Sequence, residues 1–426
     1  MKHILFIAQH SFPIRSSESI CNSKVAYSLA EAGNKVDVFS VGGCSSYPED
    51  DNIDSFLRSS ENLKVYEVKS HYSKYVISRS YSLLKNLRNA IGLLQIAARS
   101  RYCYNGMGHA YDIFLAVKKH IDSLGECPYD IVMTRAYEAE LAGIYLKKKY
   151  KVSWIANWND PYPVCRFPEP YGRGPKTRIA LGYRPVYHEV ERYVDIHTFP
   201  SERLREYMLN SFDSVTKEKT RVIHHMAHSQ LFYQQGSGQN SKCLKIVSCG
   251  SVKSPRNPSL FIKALKEVVN EMSLGPDDLR CFFIGSYDSF VPSLIKESGL
   301  EEIVELLPPM VYSRSIDFIS SCDLSLIIEA ECEEGIYLPT KFVDSIQCKV
   351  PVFCVSPSPG TLQDLVNKYN IGYYAFNKDK ASVIGALRHA IADYKQGALP
   401  TIQMSQVSAF FEKDIVKMYE QIFSSL

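Results

Sequence analysis

Apolar runs of strand length alternate with segments of helical period along this chain, and the alternation breaks once and then begins again. Residues 4–8 are a continuous apolar run, residues 21–32 carry a helical pattern up to Gly33, and residues 36–41 form a second strand-like run. Two strands separated by a helix pair in parallel, because the crossover returns the second strand in the direction of the first. Gly33 stands where a helix passes into the left-handed conformation. The same rhythm predicts strands over residues 130–134, 152–156, 195–200 and 221–225, and a helix over 138–150. The stretch QQGSGQNSK, residues 234–242, is polar and glycine-rich and has the character of a linker.

Beyond the linker, strands are expected over 245–249, 280–284, 303–307, 324–328 and 350–355, and helices over 258–272, 291–298, 316–320 and 340–347. The expected fold class is α/β, with two Rossmann-like doubly wound domains. The first spans residues 1–233 with a helical insertion at about 70–125, the linker 234–243, and the second domain 244–404. Residues 405–426 bring Phe410, Ile415, Met418, Tyr419 and Ile422 to helical spacing, so a helix is expected to close back on the first domain. Doubly wound sheets bind ligands at the carboxyl ends of their strands, which places the expected site in a cleft that the two domains face.

Charge narrows the ligand. Lys and Arg number 49 against 46 Asp and Glu, a formal net charge of +3, so no global field steers nucleic acid and an anionic ligand needs a local site. The twelve cysteines include no C-x-x-C pair, a usage that fits reduced thiols in the cytoplasm. The opening apolar run is too short for a signal peptide and runs into His10 and Ser11. No apolar stretch approaches the roughly 18 to 20 residues that cross a bilayer. Within the insertion, Leu83, Leu87, Ile91, Leu94 and Ala98 recur at helical spacing among tyrosines and cations. Two readings are open: a solvated amphipathic helix pair packed on the sheet, or a contact surface for a membrane or an acceptor.

The segment YLPTKFVDSIQCKVPV, residues 337–352, concentrates the chemistry of the second half. Pro339 is pre-organised to open a helix whose first N–H groups, on Thr340, Lys341 and Phe342, have no intrahelical acceptor. Such a start binds phosphate; Lys341 adds a cation there, and Asp344, one turn on, can accept from sugar hydroxyls. An ordinary helix with a surface lysine is the plainer alternative. After the first strand of the second domain, Gly250 opens a turn that carries Lys253 and Arg256, whose guanidinium fork suits a diphosphate; either cation could equally be a solvated loop charge. In the first half, Asp160 precedes Pro161 and is either a hydroxyl-binding acid or a turn former, and His10 follows the first strand. His224, His225 and His228 include an i, i+4 pair but have no carboxylate or cysteine in register, so no metal site is expected. No strand is followed by G-x-G-x-x-G, which argues against a dinucleotide-dependent oxidoreductase.

These segments, together with WIANWNDPY, DIHTFPSE and VIHHMAHSQLF, occur in an order that resembles the retaining nucleotide-sugar glycosyltransferases of family 4, which have the GT-B fold. The resemblance implies a hexosyltransferase-type enzyme that moves a sugar from a nucleoside-diphosphate sugar to a glycan or lipid-linked acceptor with retention. It implies Arg256 and Lys253 on the donor diphosphate, beside Gly250, and Pro339, Thr340 and Lys341 at the helix beneath it. It implies Asp344 on the ribose, where the family usually has glutamate. The family's other acid falls at Ile336 here; Glu333 and Glu334 are near but out of register, and Glu334 is the candidate for the donor sugar. The usual glycine pair after the first strand is replaced by Arg15, Ser16 and Ser17. Asp160, in a D-P-W-like motif, with His10 and Arg15, falls on the acceptor side. Arg256, Lys341 and Asp160 are the catalytic candidates. No metal or cofactor is implied beyond the sugar nucleotide as co-substrate, nor any nucleic acid; peripheral contact with the inner membrane face is compatible. The alternatives are a nucleotide-sugar epimerase and a non-catalytic nucleotide-sugar-binding protein.

Overall fold

The computed structural model describes residues 1–41, 49–135, 137–231 and 243–426. The chain divides into two compact units, one of Met1–Phe167, Gly172–Ile223 and Val416–Leu426, the other of Pro168–Tyr171 and His224–Ile415. The expected linker lies outside the described residues except for Cys243, and the change of unit falls earlier, after Ile223.

The first unit is built on a parallel sheet of β1 (His3–Ala8), β2 (Lys35–Val41), β3 (Leu63–Val68), β4 (Ile131–Arg135), β5 (Ser153–Asn157), β6 (Ile196–Phe199) and β7 (Thr220–Val222). Their spatial order is β3-β2-β1-β4-β5-β6-β7. The order reverses at β1, as a doubly wound sheet requires, and Ile4 to Ala8 are wholly buried because helices cover both faces. The helix Ser17–Glu31 follows β1; Ser16 caps it, accepting from Ser19 N while the Ser19 hydroxyl returns to the cap.

The second unit carries β8 (Leu244–Cys249), β9 (Leu279–Ile284), β10 (Val304–Leu307), β11 (Leu324–Ile328), β12 (Val352–Ser356) and β13 (Gly372–Phe376), all parallel, in the order β10-β9-β8-β11-β12-β13. Here the switch lies between β8 and β11. One face of this sheet packs against Phe261, Leu265 and Val268 of the helix Ser259–Glu271, and Phe342 and Ile346 of Thr340–Cys348 join a second apolar cluster with Phe410.

The closing helix needs adjustment. The C-terminal helix spans Glu412–Ser425, shorter than residues 405–426, because residues 408–410 form a single 3₁₀ turn that buries Phe410 in the second unit. Its later residues belong to the first unit, where Arg135 donates to the Tyr419 hydroxyl at 3.1 Å. The insertion is a pair of helices, Leu83–Ser100 and Gly108–Leu124, led in by an irregular segment pinned to Asp112. The Asp112 carboxylate accepts from the backbone N–H groups of His71 at 3.0 Å, Tyr72 at 2.9 Å and Ser73 at 3.3 Å.

Candidate functional site

In the second unit, the candidate donor residues gather at the carboxyl ends of β8 and β11. Gly250 follows β8 with φ of 104°, and a Cβ there would lie 3.9 Å from Cε and Nζ of Lys341, so the ammonium rests against the glycine backbone. Gly285, after β9, backs the same turn: its own φ is 131°, and a Cβ on it would stand 2.4 Å from the Gly250 carbonyl oxygen. Arg256 reaches the level of β11, where its Nε lies 3.3 Å from Oε1 of Glu329. Glu329 directly follows β11 and is only 7% exposed.

Lys341 is half-buried, and its pKa is lowered by desolvation and then by the neighbouring Arg256. Glu329, Cys249 and Asp344 act in the opposite sense. Two cations thus lie together in a partly dehydrated place, and a bound anion would relieve their mutual repulsion. The helix Thr340–Cys348 begins there, with Pro339 before it and no side chain capping its first N–H groups. Those amides add donors and the positive end of a helix dipole.

The other expected residues stand around this group. Asp344 is half-exposed and accepts from the Tyr312 hydroxyl at 2.7 Å, and Gln347 Nε2 donates to the same hydroxyl at 3.3 Å. Lys253 is exposed in the turn before Arg256, and Glu334 is half-exposed beside Gly335, whose N–H and C=O bond to Pro359 and Thr361. Three participants were not predicted: Glu329, Tyr312 and Tyr171, whose phenol is pushed up by burial and by Glu329 while Arg256 opposes the shift. Only Glu329 had a signal in sequence, as an acid placed directly after the apolar run 324–328.

The first unit holds a different set. Asp160 lies beyond β5 and acts on Glu18, in the first turn of the helix Ser17–Glu31. Burial and then Asp160 push the Glu18 carboxyl up to about 7, against Arg135 and Asn22. Glu138, with φ of 73°, follows β4 and is pushed up to about 8 by burial, Glu140 and Glu18. Glu140 is 2% exposed and accepts from the Tyr183 hydroxyl at 2.9 Å. The carboxyl end of this sheet therefore presents carboxyls that change charge near neutrality. His10 lies on the same edge; burial and then His109 lower its pKa, and its carbonyl accepts from Asn22. Arg15 is engaged by Glu49, and the Ser16 hydroxyl is taken up as the helix cap, so neither side chain of that pair is held toward a ligand by its own partners.

His224, His225 and His228 form no metal-binding group among the described residues: His224 stacks on Phe410, and the His228 N–H donates to Gln347. No disulfide joins the eleven described cysteines.

No protein-family model matches the chain, and no curated protein matches it. Solved structures do. HepE of Anabaena in complex with UDP is similar at 14% identity and a TM-score of 0.67, with 100% of each chain covered. Sucrose-phosphate synthase of Thermosynechococcus elongatus gives the same 14%, 0.67 and full coverage of both chains. The lipopolysaccharide outer core galactosyltransferase WaaB in its apo form aligns at 12% identity with a TM-score of 0.58, again over 100% of both chains. At such identities the likeness speaks for the fold, and it agrees with the two switch-point sheets: the chain has the GT-B fold, the fold of these nucleotide-sugar glycosyltransferases.

Proposed function

We propose that this chain transfers a hexosyl group from a nucleoside-diphosphate sugar to a glycan or lipid-linked glycan, with retention of anomeric configuration. The observation that carries the reading is the meeting of Arg256, Lys341, the Gly250 turn and an uncapped helix start in the second unit. The UDP found with HepE supports a nucleoside diphosphate as the ligand of this group.

As the bond to the anomeric carbon breaks, negative charge grows on the departing diphosphate. Groups that meet this growing charge lower the barrier more than they tighten the ground state. Arg256 and Lys341 provide two charges, and the amides of Thr340 and Lys341 provide fixed dipoles. Glu329 keeps the guanidinium in place, and Asp344, oriented by Tyr312, is set to accept from the ribose. Glu334 is the nearby acid for the donor sugar, and Lys253 adds charge at the rim. On the acceptor side, Asp160 and His10 are the hydroxyl-binding candidates, with Arg15 at their edge. The free thiols suit a cytoplasmic setting. Since cations of the chain meet the diphosphate, the transfer is expected to need no divalent metal, and an unchanged rate in EDTA checks this.

Calorimetric titration with UDP, GDP and ADP, and with their sugar conjugates, tests the reading. One nucleoside diphosphate is expected to bind, and Arg256→Ala or Lys341→Ala to weaken it at least about tenfold, as loss of a charge-assisted hydrogen bond does. Wild-type affinity in both variants, or no binding of any of the three nucleotides, overturns it. The anomeric configuration of the product, read by NMR coupling constants, tests retention.

A further inference from the structure

The helix Leu83–Ser100 is apolar on two opposite faces. Its inner face carries Asn89, Gly92, Leu93 and Ile96, buried against its own unit; a Cβ on Gly92 would collide with the Tyr75 ring at 2.5 Å. Its outer face carries Leu83, Leu84, Leu87, Ile91 and Leu94, which are 86%, 80%, 59%, 52% and 63% exposed. The positions 83, 87, 91 and 94 advance by about one and then two and three turns of a 3.6-residue period, so they form a single stripe rather than scattered residues. An isolated exposed leucine is ordinary; four aliphatic residues on one stripe, with Leu84 at its margin, are not.

Charge says what covers the stripe. From Ser70 to Tyr111 the chain carries no Asp and no Glu, yet it carries Lys74, Arg79, Lys85, Arg88, Arg99 and Arg101. A helix in water gains from paired charges on its polar flanks, and this one has only cations. Aliphatic side chains flanked by lysine and arginine, with no acid in the same segment, match a surface with an anionic skin over a hydrocarbon interior. Among the described residues no helix is long and apolar enough to cross a membrane, so the contact is one of lying on the surface. The segment can bear such contact because Asp112 and Asn89 fix it to the unit: Asn89 Nδ2 donates to the Val76 carbonyl at 2.6 Å.

We propose that the outer face of this helix docks on an anionic lipid bilayer, with the stripe of leucines inserted among the acyl chains and the cations at the headgroups. The surface lies wholly on the first unit and does not depend on the transferase reading.

Flotation with phosphatidylcholine–phosphatidylglycerol vesicles, and with vesicles of phosphatidylcholine only, tests it on the full chain. Binding to the anionic vesicles is expected, falling with added salt, and the pair Leu84→Asp with Leu87→Asp is expected to weaken it at least about tenfold. Both side chains are exposed, so an unchanged thermal midpoint and unchanged nucleotide binding are expected alongside. A second variant, Arg88→Glu with Arg99→Glu, is expected to lose the preference for anionic vesicles while leaving the stripe intact. Absence of vesicle binding, or binding indifferent to both variants, overturns the proposal. So does a dimer in sedimentation velocity that the leucine variant dissolves in a chain that binds no vesicles, which would assign the stripe to a second copy.

Discussion

Lys341 sits beside a second cation in partly desolvated surroundings, and both effects lower its pKa. Only its protonated form attracts a diphosphate, so UDP affinity is expected to fall as pH rises through that lowered value. Lys341→Met should abolish this limb of the pH profile. Glu329 works the other way by holding the ammonium charged, so Glu329→Gln should move the limb to lower pH. Titrating UDP affinity against pH in the three proteins decides both points. Glu138 gives a dependence of the same sign on a different observable. Its carboxyl is raised from the ordinary 4.5 to about 8. The neutral form therefore favours the folded state fully below the ordinary value, and that contribution is lost as pH rises through the raised one. Glu138→Gln stays neutral throughout. Its thermal midpoint is expected to exceed that of the unaltered protein by roughly 2–4 °C on the alkaline side, with no gain in acid.

At the scale of elements, the donor turn depends on two glycines stacked against each other. Gly285→Ala places a Cβ within 2.4 Å of the Gly250 carbonyl oxygen at a φ that side chains rarely adopt. A loss of about 1–3 kcal/mol is expected, together with weaker UDP binding, because the displaced carbonyl belongs to the turn that carries Arg256. Chemical denaturation and calorimetry read the two effects separately. The insertion has its own anchor. Asp112→Ala removes the acceptor of three backbone N–H groups, and faster hydrogen exchange at His71, Tyr72 and Ser73 should report it. Elements differed in how well they could be recognised. The core strand β1 stands out as an unbroken apolar run over Ile4–Ala8 because both of its faces are covered, and β4, β8 and β11 as apolar runs interrupted by one or two polar residues. The edge strands β3 and β13 are less distinct: β3 interrupts its apolar residues with Lys64 and Glu67, and β13 is a short aromatic run in which only Tyr373 and Ala375 are fully buried.

For the molecule as a whole, the last helix ties the end of the chain to its beginning. Tyr419 is buried in the first unit and accepts from Arg135 at the end of β4, while Phe423 packs beside it. Tyr419→Ala is expected to destabilise the first unit by about 3–5 kcal/mol, the range for emptying an aromatic core position. The second unit's transition should move far less, which calorimetric unfolding can resolve if the units melt apart. The apolar spacing of residues 405–426 was enough to expect a closing helix. It did not tell where the helix starts, because the preceding 3₁₀ turn buries Phe410 by a contact with residues remote in sequence.

What the amino-acid order determined alone were features whose cause is local. Parallel strands covered on both sides must be apolar over consecutive residues, and a proline followed by a lysine opens a helix with free amides, so the α/β rhythm and the Pro339–Lys341 start were both legible. The tertiary structure decided which distant side chains meet. Glu329 against Arg256, Asp344 under Tyr312, and Asp160 acting on Glu18 all follow from the order of strands in a sheet and the side on which each crossover lies. No local period encodes that order, because it is selected by the burial of the whole sheet rather than by any one segment.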